Sequence, residues 1–318
     1  MFLESFKITS SGVAQIFLLG AIGYFLMKKE LLGEPGLDIL SRLVVQVTLP
    51  TLIFCQLIKD FRFDLYPDWW IFPLISMVIT IAGLLLGCLF MGFIKGPQQK
   101  MQFLSLISFQ NSGYLPLALI AALLPKDKMD IMFIYLFLFL LGFNLIIWSV
   151  GVYMLSLHKS KKFEWATFFS PPVIVTLISL VIIFFGLNKF IPDVVLGPLR
   201  LVGNCTLPLA MFIVGGSLAS IQLKHIDRKA VFLIVLAKLI ILPGLGLWLI
   251  IKLRLPELLG LLIIMELAVP PATSLSVISR HYKKEDLLIS QGVFVGHIVA
   301  LVTLPLFLSL YFMLVMIR

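Results

Sequence analysis

Residues 107–120 read ISFQNSGYLPLALI, and five of them suit a lipid-facing helix poorly: Gln110, Asn111, Ser112, Gly113 and Pro116. Glycine permits unwound backbone, and proline removes a donor and clashes with the preceding turn. The amides and carbonyls freed in this way find no partner in hydrocarbon. Such a break must face protein or a water-filled cavity, and there it gains chemistry. The N-terminus of a half-helix offers unpaired N–H groups and a positive dipole end to an anion; a C-terminus offers carbonyls to a cation. A second interruption lies in LLIIMELAVPPATSLSVIS, where Glu266, Pro270, Pro271, Thr273 and Ser274 fall together. Matched interruptions in the two halves of a chain are the sequence mark of a transport site near the bilayer midplane. For either one alone, a kink made for packing is the plain alternative.

Other polar residues also sit deep in apolar runs. Glu266 is the one acid at such depth, and Lys238, in VLAKLIILPG, the one base. An intramembrane charge is costly and marks a functional site by default, so Glu266 reads as a proton carrier, a cation ligand or a structural counter-ion. Lys238 either pairs with it or snorkels to an interface. Gln46 and Asn204 each stand four residues before a proline, Pro50 and Pro208, and either bond the backbone those prolines free or line the substrate path. Asn144, in GFNLIIWS, lies well inside its run, while Gln291 and His297 suit hydrogen bonds between helices. The small-xxx-small spacing of Gly83 and Gly87 suits close packing.

The elements that must position these residues are membrane helices. The chain has 318 residues, 60% hydrophobic and 13% charged, with a mean hydropathy of +1.10. A soluble domain needs more charged surface, and a transmembrane barrel would show short alternating strands. The net charge of +9 resides in short loops between apolar runs, which speaks for membrane topology and not for nucleic-acid binding. Cys55, Cys88 and Cys205 fall inside apolar runs and read as small buried hydrophobes. No His/Cys cluster has metal-ligand spacing, and no Ser/His/Asp or paired-aspartate motif supports an enzyme, so no cofactor is expected beyond a coupling ion. The N-terminus lacks a basic start and a small-residue cleavage site, so it reads as an uncleaved first helix.

Hydropathy predicts ten spans: 9–27, 39–58, 69–94, 102–124, 130–157, 171–187, 194–220, 229–251, 256–279 and 287–316. The longest hydrophilic stretch, LHKSKKFEW at 157–165, lies near mid-chain. Fourteen Lys and Arg residues flank one side and ten the other, with Lys238 inside a span, which puts both termini outside. Span two reads RLVVQVTLPTLIF from Arg42 and span seven RLVGNCTLPLAMF from Arg200, identical at seven of thirteen positions at an offset of 158 residues. Five spans separate the copies, so the second enters from the opposite face. This predicts an all-α membrane fold of two inverted five-helix repeats, 9–157 and 171–316, with spans four and nine broken.

The TLP elements of spans two and seven, NSGYLPLAL from Asn111, PLAMFIVGGSLA from Pro208 and VPPATSLSVISRHY from Val269 resemble the auxin efflux carrier family, in its compact form without a large central loop. NLIIWS from Asn144 is a weaker likeness of the same kind. The resemblance covers essentially the whole chain. It implies the ten-helix fold shared in outline with bile-acid sodium symporters and sodium/proton antiporters. Spans one, two, six and seven would form a scaffold, and spans three to five and eight to ten a mobile transport unit whose spans four and nine cross at the site. It further implies small carboxylates as substrates, a homodimer through the scaffold, and a bacterial cytoplasmic membrane location. Asn111, Pro116, Asn144 and the Pro270–Pro271 break fall on the family's substrate-site elements. An acid at Glu266 is more like the sodium-binding span of bile-acid symporters than the plant carriers, which leaves H+ and Na+ both open as driving ion.

The expectation is a secondary carrier of small organic anions working by alternating access. Its substrate site would comprise Gln110, Asn111, Ser112, Gly113, Pro116, Asn144, Pro270, Pro271 and Thr273, with Glu266 and Lys238 in ion coupling. The rivals are a sodium symporter of an amphipathic acid on the related fold and a membrane sensor that binds a ligand without moving it.

Overall fold

A computed structural model describes residues 2–156, 169–221, 226–281 and 287–316. The mid-chain hydrophilic stretch at 157–165 lies outside them, as do Lys224, Lys283, Lys284 and Arg318 of the charge comparison. Among the described residues the protein is all helical; its one β-bridge joins Gln110 and Pro271.

Among the described residues, seven helical stretches are long and apolar enough to cross a membrane. The first is α1 (Phe2–Lys28). The second joins α2 (Gly33–Leu43) to α3 (Leu49–Asp60) through a π-helical turn at Val44–Thr48. Pro50 lies in the first turn of α3, and the wide turn before it absorbs the missing donor without breaking the helix. The others are α4 (Ile71–Phe90), α7 (Lys126–Ile146) with its extension α8 (Val152–Ser156), α10 (Asp193–Asn204) with α11 (Thr206–Ala219), α12 (Arg228–Val235) with α13 (Leu242–Leu253), and α16 (Leu287–Tyr311). A π turn at Ile147–Gly151 joins α7 to α8, and another at Leu236–Ile241 joins α12 to α13.

The remaining apolar runs are short or divided. The run predicted at 102–124 is two helices, α5 (Pro97–Ser108) and α6 (Tyr114–Leu123). The run at 171–187 is α9, only Pro171–Phe184, ended by Gly186 in a left-handed conformation at φ +69°. The run at 256–279 is α14 (Glu257–Ala268) and α15 (Ser274–His281).

Small residues set the close approaches that hold these rods in place. α1 packs on α11 so tightly that a Cβ at Gly23 would strike the backbone of Phe212. At Gly83 a Cβ would lie 2.8 Å from Ser108 Cα, and at Gly87 2.8 Å from Leu104. The small-residue pair in α4 thus brings that helix onto the last turn of α5, at the edge of the first break. The hydroxyls of Thr9 and Ser309, 2.6 Å apart, tie α1 to α16 inside the core.

The cysteines depart from expectation. Cys55 is buried, but Cys88 and Cys205 are exposed. An apolar run shows no preferred face, so its small residues cannot be assigned to core or periphery from sequence.

Candidate functional site

The two broken runs meet. α5 ends where Phe109 turns extended, and α14 ends where Val269 does the same. The five residues 109–113 and the five residues 269–273 then lie antiparallel. The Asn111 N–H donates to Pro270 O at 2.9 Å, and the Ala272 N–H donates to Phe109 O at 2.9 Å. Each break thereby satisfies part of the other's exposed backbone, as burial in an apolar surrounding requires. Pro270 and Pro271 fit this role because their carbonyls can accept while their nitrogens need no partner.

Beyond the bridge, α6 and α15 begin. Their first residues, Gly113 and Tyr114 on one side and Thr273 and Ser274 on the other, line a common cavity of about 160 Å³. Pro116 sits at the third position of α6, where a backbone donor would have no helical partner in any case. The cavity is therefore flanked by two helix N-termini, each with a positive dipole end, although in α15 the Leu275 and Ser276 N–H groups already donate to Ala272 O and Thr273 O.

Side chains from other elements close it. Gln110, Asn111 and Ser112 of the first break contribute directly. Asn144, Ile147 and Trp148 come from the end of α7 and its π turn, Val45 and Leu49 from the second helical stretch, and Ser170 and Pro172 from the start of α9. The wall thus pairs the broken runs and α7 with the face formed by α3 and α9.

Asn111 is held from behind. The His297 Nδ1–H donates to Val293 O at 2.7 Å, which leaves Nε2 as an acceptor in the neutral ring. Asn111 Nδ2 lies 3.4 Å from that nitrogen, so its amide NH2 faces the histidine. His297 is fully buried, and this contact joins elements 186 residues apart.

On the other side of the break lies a second polar group. Glu266, in the last turn of α14, has no exposure, and its carboxylate sits beside Ser112, Gln110 and Lys238. Yet neither carboxylate oxygen, nor the Ser112 hydroxyl, nor the Gln110 amide closes a hydrogen bond of normal geometry. Lys238, also fully buried, sits in the π turn and donates from Nζ to Leu267 O at 3.2 Å. The ammonium therefore caps the C-terminal, negative end of α14 instead of closing a direct ion pair with Glu266. Zero exposure also excludes snorkelling to an interface.

The sequence-predicted residues thus divide. Gln110, Asn111, Ser112, Gly113, Asn144 and Thr273 line the cavity. Pro116, Pro270 and Pro271 shape the breaks without lining it. Glu266 and Lys238 lie behind it. Gln46 and Asn204 do neither: both are exposed on the outer surface. Among the described residues neither side chain bonds backbone near Pro50 or Pro208; nearby, Thr51 Oγ1 donates to Val47 O at 2.6 Å and the Cys205 N–H to Val202 O at 3.2 Å. Val45, Leu49, Tyr114, Trp148 and Ser170 are wall residues that sequence reasoning missed. Of these, Tyr114 and Trp148 carried a signal, as aromatics in the NSGYLPLAL and NLIIWS motifs.

A protein-family model described as membrane transport protein, that of the auxin efflux carriers, matches residues 8–165 and 154–308, nearly the whole chain. The chain belongs to the auxin efflux carrier family. It is an integral membrane protein of a family of membrane transport proteins. An uncharacterized transporter of Methanothermobacter thermautotrophicus is 26% identical over 302 residues, 92% of this chain and 95% of that one. An uncharacterized transporter of Methanocaldococcus jannaschii is 24% identical over 218 residues, 66% of this chain and 68% of that one. The Arabidopsis thaliana protein PIN-LIKES 6 is 30% identical over 124 residues, 38% of this chain and 29% of the plant protein. The match therefore spans less than a third of that plant relative's length.

Proposed function

We propose that this transporter is a secondary carrier of small organic anions, of the auxin or dicarboxylate type, that binds its substrate where the two breaks meet. The observation that carries the reading is the cavity flanked by the N-termini of α6 and α15 and by the amides of Asn111 and Asn144. Positive dipole ends and amide side chains suit a carboxylate. A volume of about 160 Å³ is smaller than the roughly 300–1,000 Å³ of drug-sized pockets, which favours an acid of few heavy atoms.

In this reading the chain crosses the membrane ten times in two inverted five-helix units, 9–157 and 171–316, with both termini outside. Spans one, two, six and seven form the scaffold, and spans three to five and eight to ten move against it. The cavity wall supports that division, because Val45, Leu49, Ser170 and Pro172 come from scaffold spans and the rest from moving ones. Alternating access follows when the moving unit slides along that seam and carries the bridged breaks with it. A homodimer through the scaffold fits the exposed polar residues Gln46 and Asn204, which otherwise meet lipid.

Glu266 is the coupling residue in this account. A buried carboxylate without a hydrogen bond is relieved by taking up H+ or Na+, and Gln110 and Ser112 stand ready to share the ion. Lys238 lies in the same region, its Nζ on Leu267 O.

The test is uptake of radiolabelled small carboxylates into proteoliposomes, under a pH gradient, a Na+ gradient, or neither. Accumulation of at least one acid, lost in Asn111→Ala, is expected. Na+-dependent uptake of a bulky amphipathic acid would favour the symporter on the related fold. Ligand-induced thermal stabilisation without any flux would favour a sensor.

A further inference from the structure

Away from the breaks lies a larger groove of about 1160 Å³, and the two cavities share no residue. Its floor is apolar, made by Leu177, Val181 and Phe184 of α9 and by Trp69. Leu177, Val181 and Phe184 are 41%, 55% and 72% exposed, as side chains that face lipid tails are. Its rim is cationic: Lys59 at the end of α3, Arg62 just beyond it, and Lys189 in the short 3-10 turn after α9. Trp69 and Trp70 precede α4 at the same level, where membrane-interface aromatics belong.

The charges do not balance. Lys59 Nζ lies 3.4 Å from Asp60. Arg62 gives Nε and Nη2 to Asp64 at 3.1 and 2.9 Å, and this bond holds the Asp64 carboxyl below the usual carboxylate range. Lys189 is exposed and forms no ion pair among the described residues. One positive charge is left over beside the apolar floor.

We propose that this groove binds one anionic phospholipid, its phosphodiester held by Lys189 and Arg62 and an acyl chain laid along α9. A headgroup with a single negative charge balances the rim. Basic pockets between membrane helices take such headgroups. The volume exceeds the roughly 300–1,000 Å³ of drug-sized ligand pockets, as a two-chain lipid requires. A second copy is a poorer occupant, because a two-fold axis through the groove would set these cations against their own equivalents.

The experiment is native mass spectrometry of the full chain in detergent, with phosphatidylglycerol and phosphatidylcholine at equal concentration. One phosphatidylglycerol per chain is retained in preference to phosphatidylcholine. Lys189→Gln lowers that occupancy about fivefold and Lys189→Gln with Arg62→Gln by more than tenfold, given the usual worth of a surface cation near anionic lipid. Val181→Trp fills the floor and lowers occupancy with the charges intact. Added inorganic phosphate does not compete. Equal retention of the two lipids, or unchanged retention in Lys189→Gln, overturns the proposal. So does displacement by inorganic phosphate, which would mark a soluble-anion site. Loss of a dimer in step with the lipid in these variants also overturns it, in favour of an interface between copies. None of these readouts depends on transport.

Discussion

The backbone N–H of Asn111 donates to the carbonyl of Pro270 across 2.9 Å, joining residues 159 positions apart in the chain. With the Ala272 N–H to Phe109 O bond it makes the two breaks one mechanical piece. In the proposed carrier, a displacement of either would displace both, and a substrate held between α6 and α15 would travel with them.

Asn111→Ala removes the amide that lines the cavity and the partner of His297. Uptake should fall by more than tenfold, while expression and thermal stability stay near those of the parent. Uptake equal to the parent's would take the cavity out of the transport path.

Glu266 and Lys238 should show energetic coupling although they form no direct pair. Each of Glu266→Gln and Lys238→Met leaves the other charge buried with less compensation, and each lowers the melting temperature. The double variant should recover part of that loss, with a coupling energy above about 0.5 kcal/mol in a double-mutant cycle. Strict additivity would show that the two charges act independently. In flux assays Glu266→Gln should blunt the response to a pH or Na+ gradient; a gradient response equal to the parent's would remove Glu266 from coupling.

Gly296 supports the second break from behind. A Cβ there would lie 2.8 Å from Pro271 Cδ, so Gly296→Ala must displace the ring or the helix. A cost of about 1–3 kcal/mol is expected from such overpacking. Uptake should fall as well, because the shift is passed through Pro271 to Gln110. A variant as stable and active as the parent would show that the break yields freely.

Cys205 is exposed beside Asn204, on the face assigned to the homodimer. In a background with Cys55→Ser and Cys88→Ser, a short bis-maleimide should link Cys205 between two copies in membranes. A gel with monomer alone across a range of linker lengths would exclude dimerisation through this face.

The breaks were legible because they needed residues that membrane helices avoid. Gln110 through Gly113 and the Pro270–Pro271 pair announce unwound backbone whatever surrounds them. Asn144 was legible for a related reason, as a polar residue with no place in lipid. The wall built by Val45, Leu49 and Pro172 was not, since apolar residues in an apolar helix carry no mark of the face they occupy. The same blindness misdirected the reading of Gln46 and Asn204. Their spacing to Pro50 and Pro208 predicts backbone partners, but both side chains point to the exposed surface. The Asn111–His297 contact depends on how distant segments fold together, which no local pattern records.

The π turn at Ile147–Gly151 begins three residues after Asn144 and carries Trp148 into the cavity wall. A turn of this kind stores one surplus residue, and each residue of an α-helix accounts for about 100° of rotation. Deleting one residue there would close the wide turn into regular α-helix, turning the residues within it, Trp148 among them, by up to roughly that angle while the flanking helix keeps its register. The chamber's lining can therefore be re-aimed by a change in chain length alone, a route to altered selectivity that a comparison of side chains at matched positions would overlook.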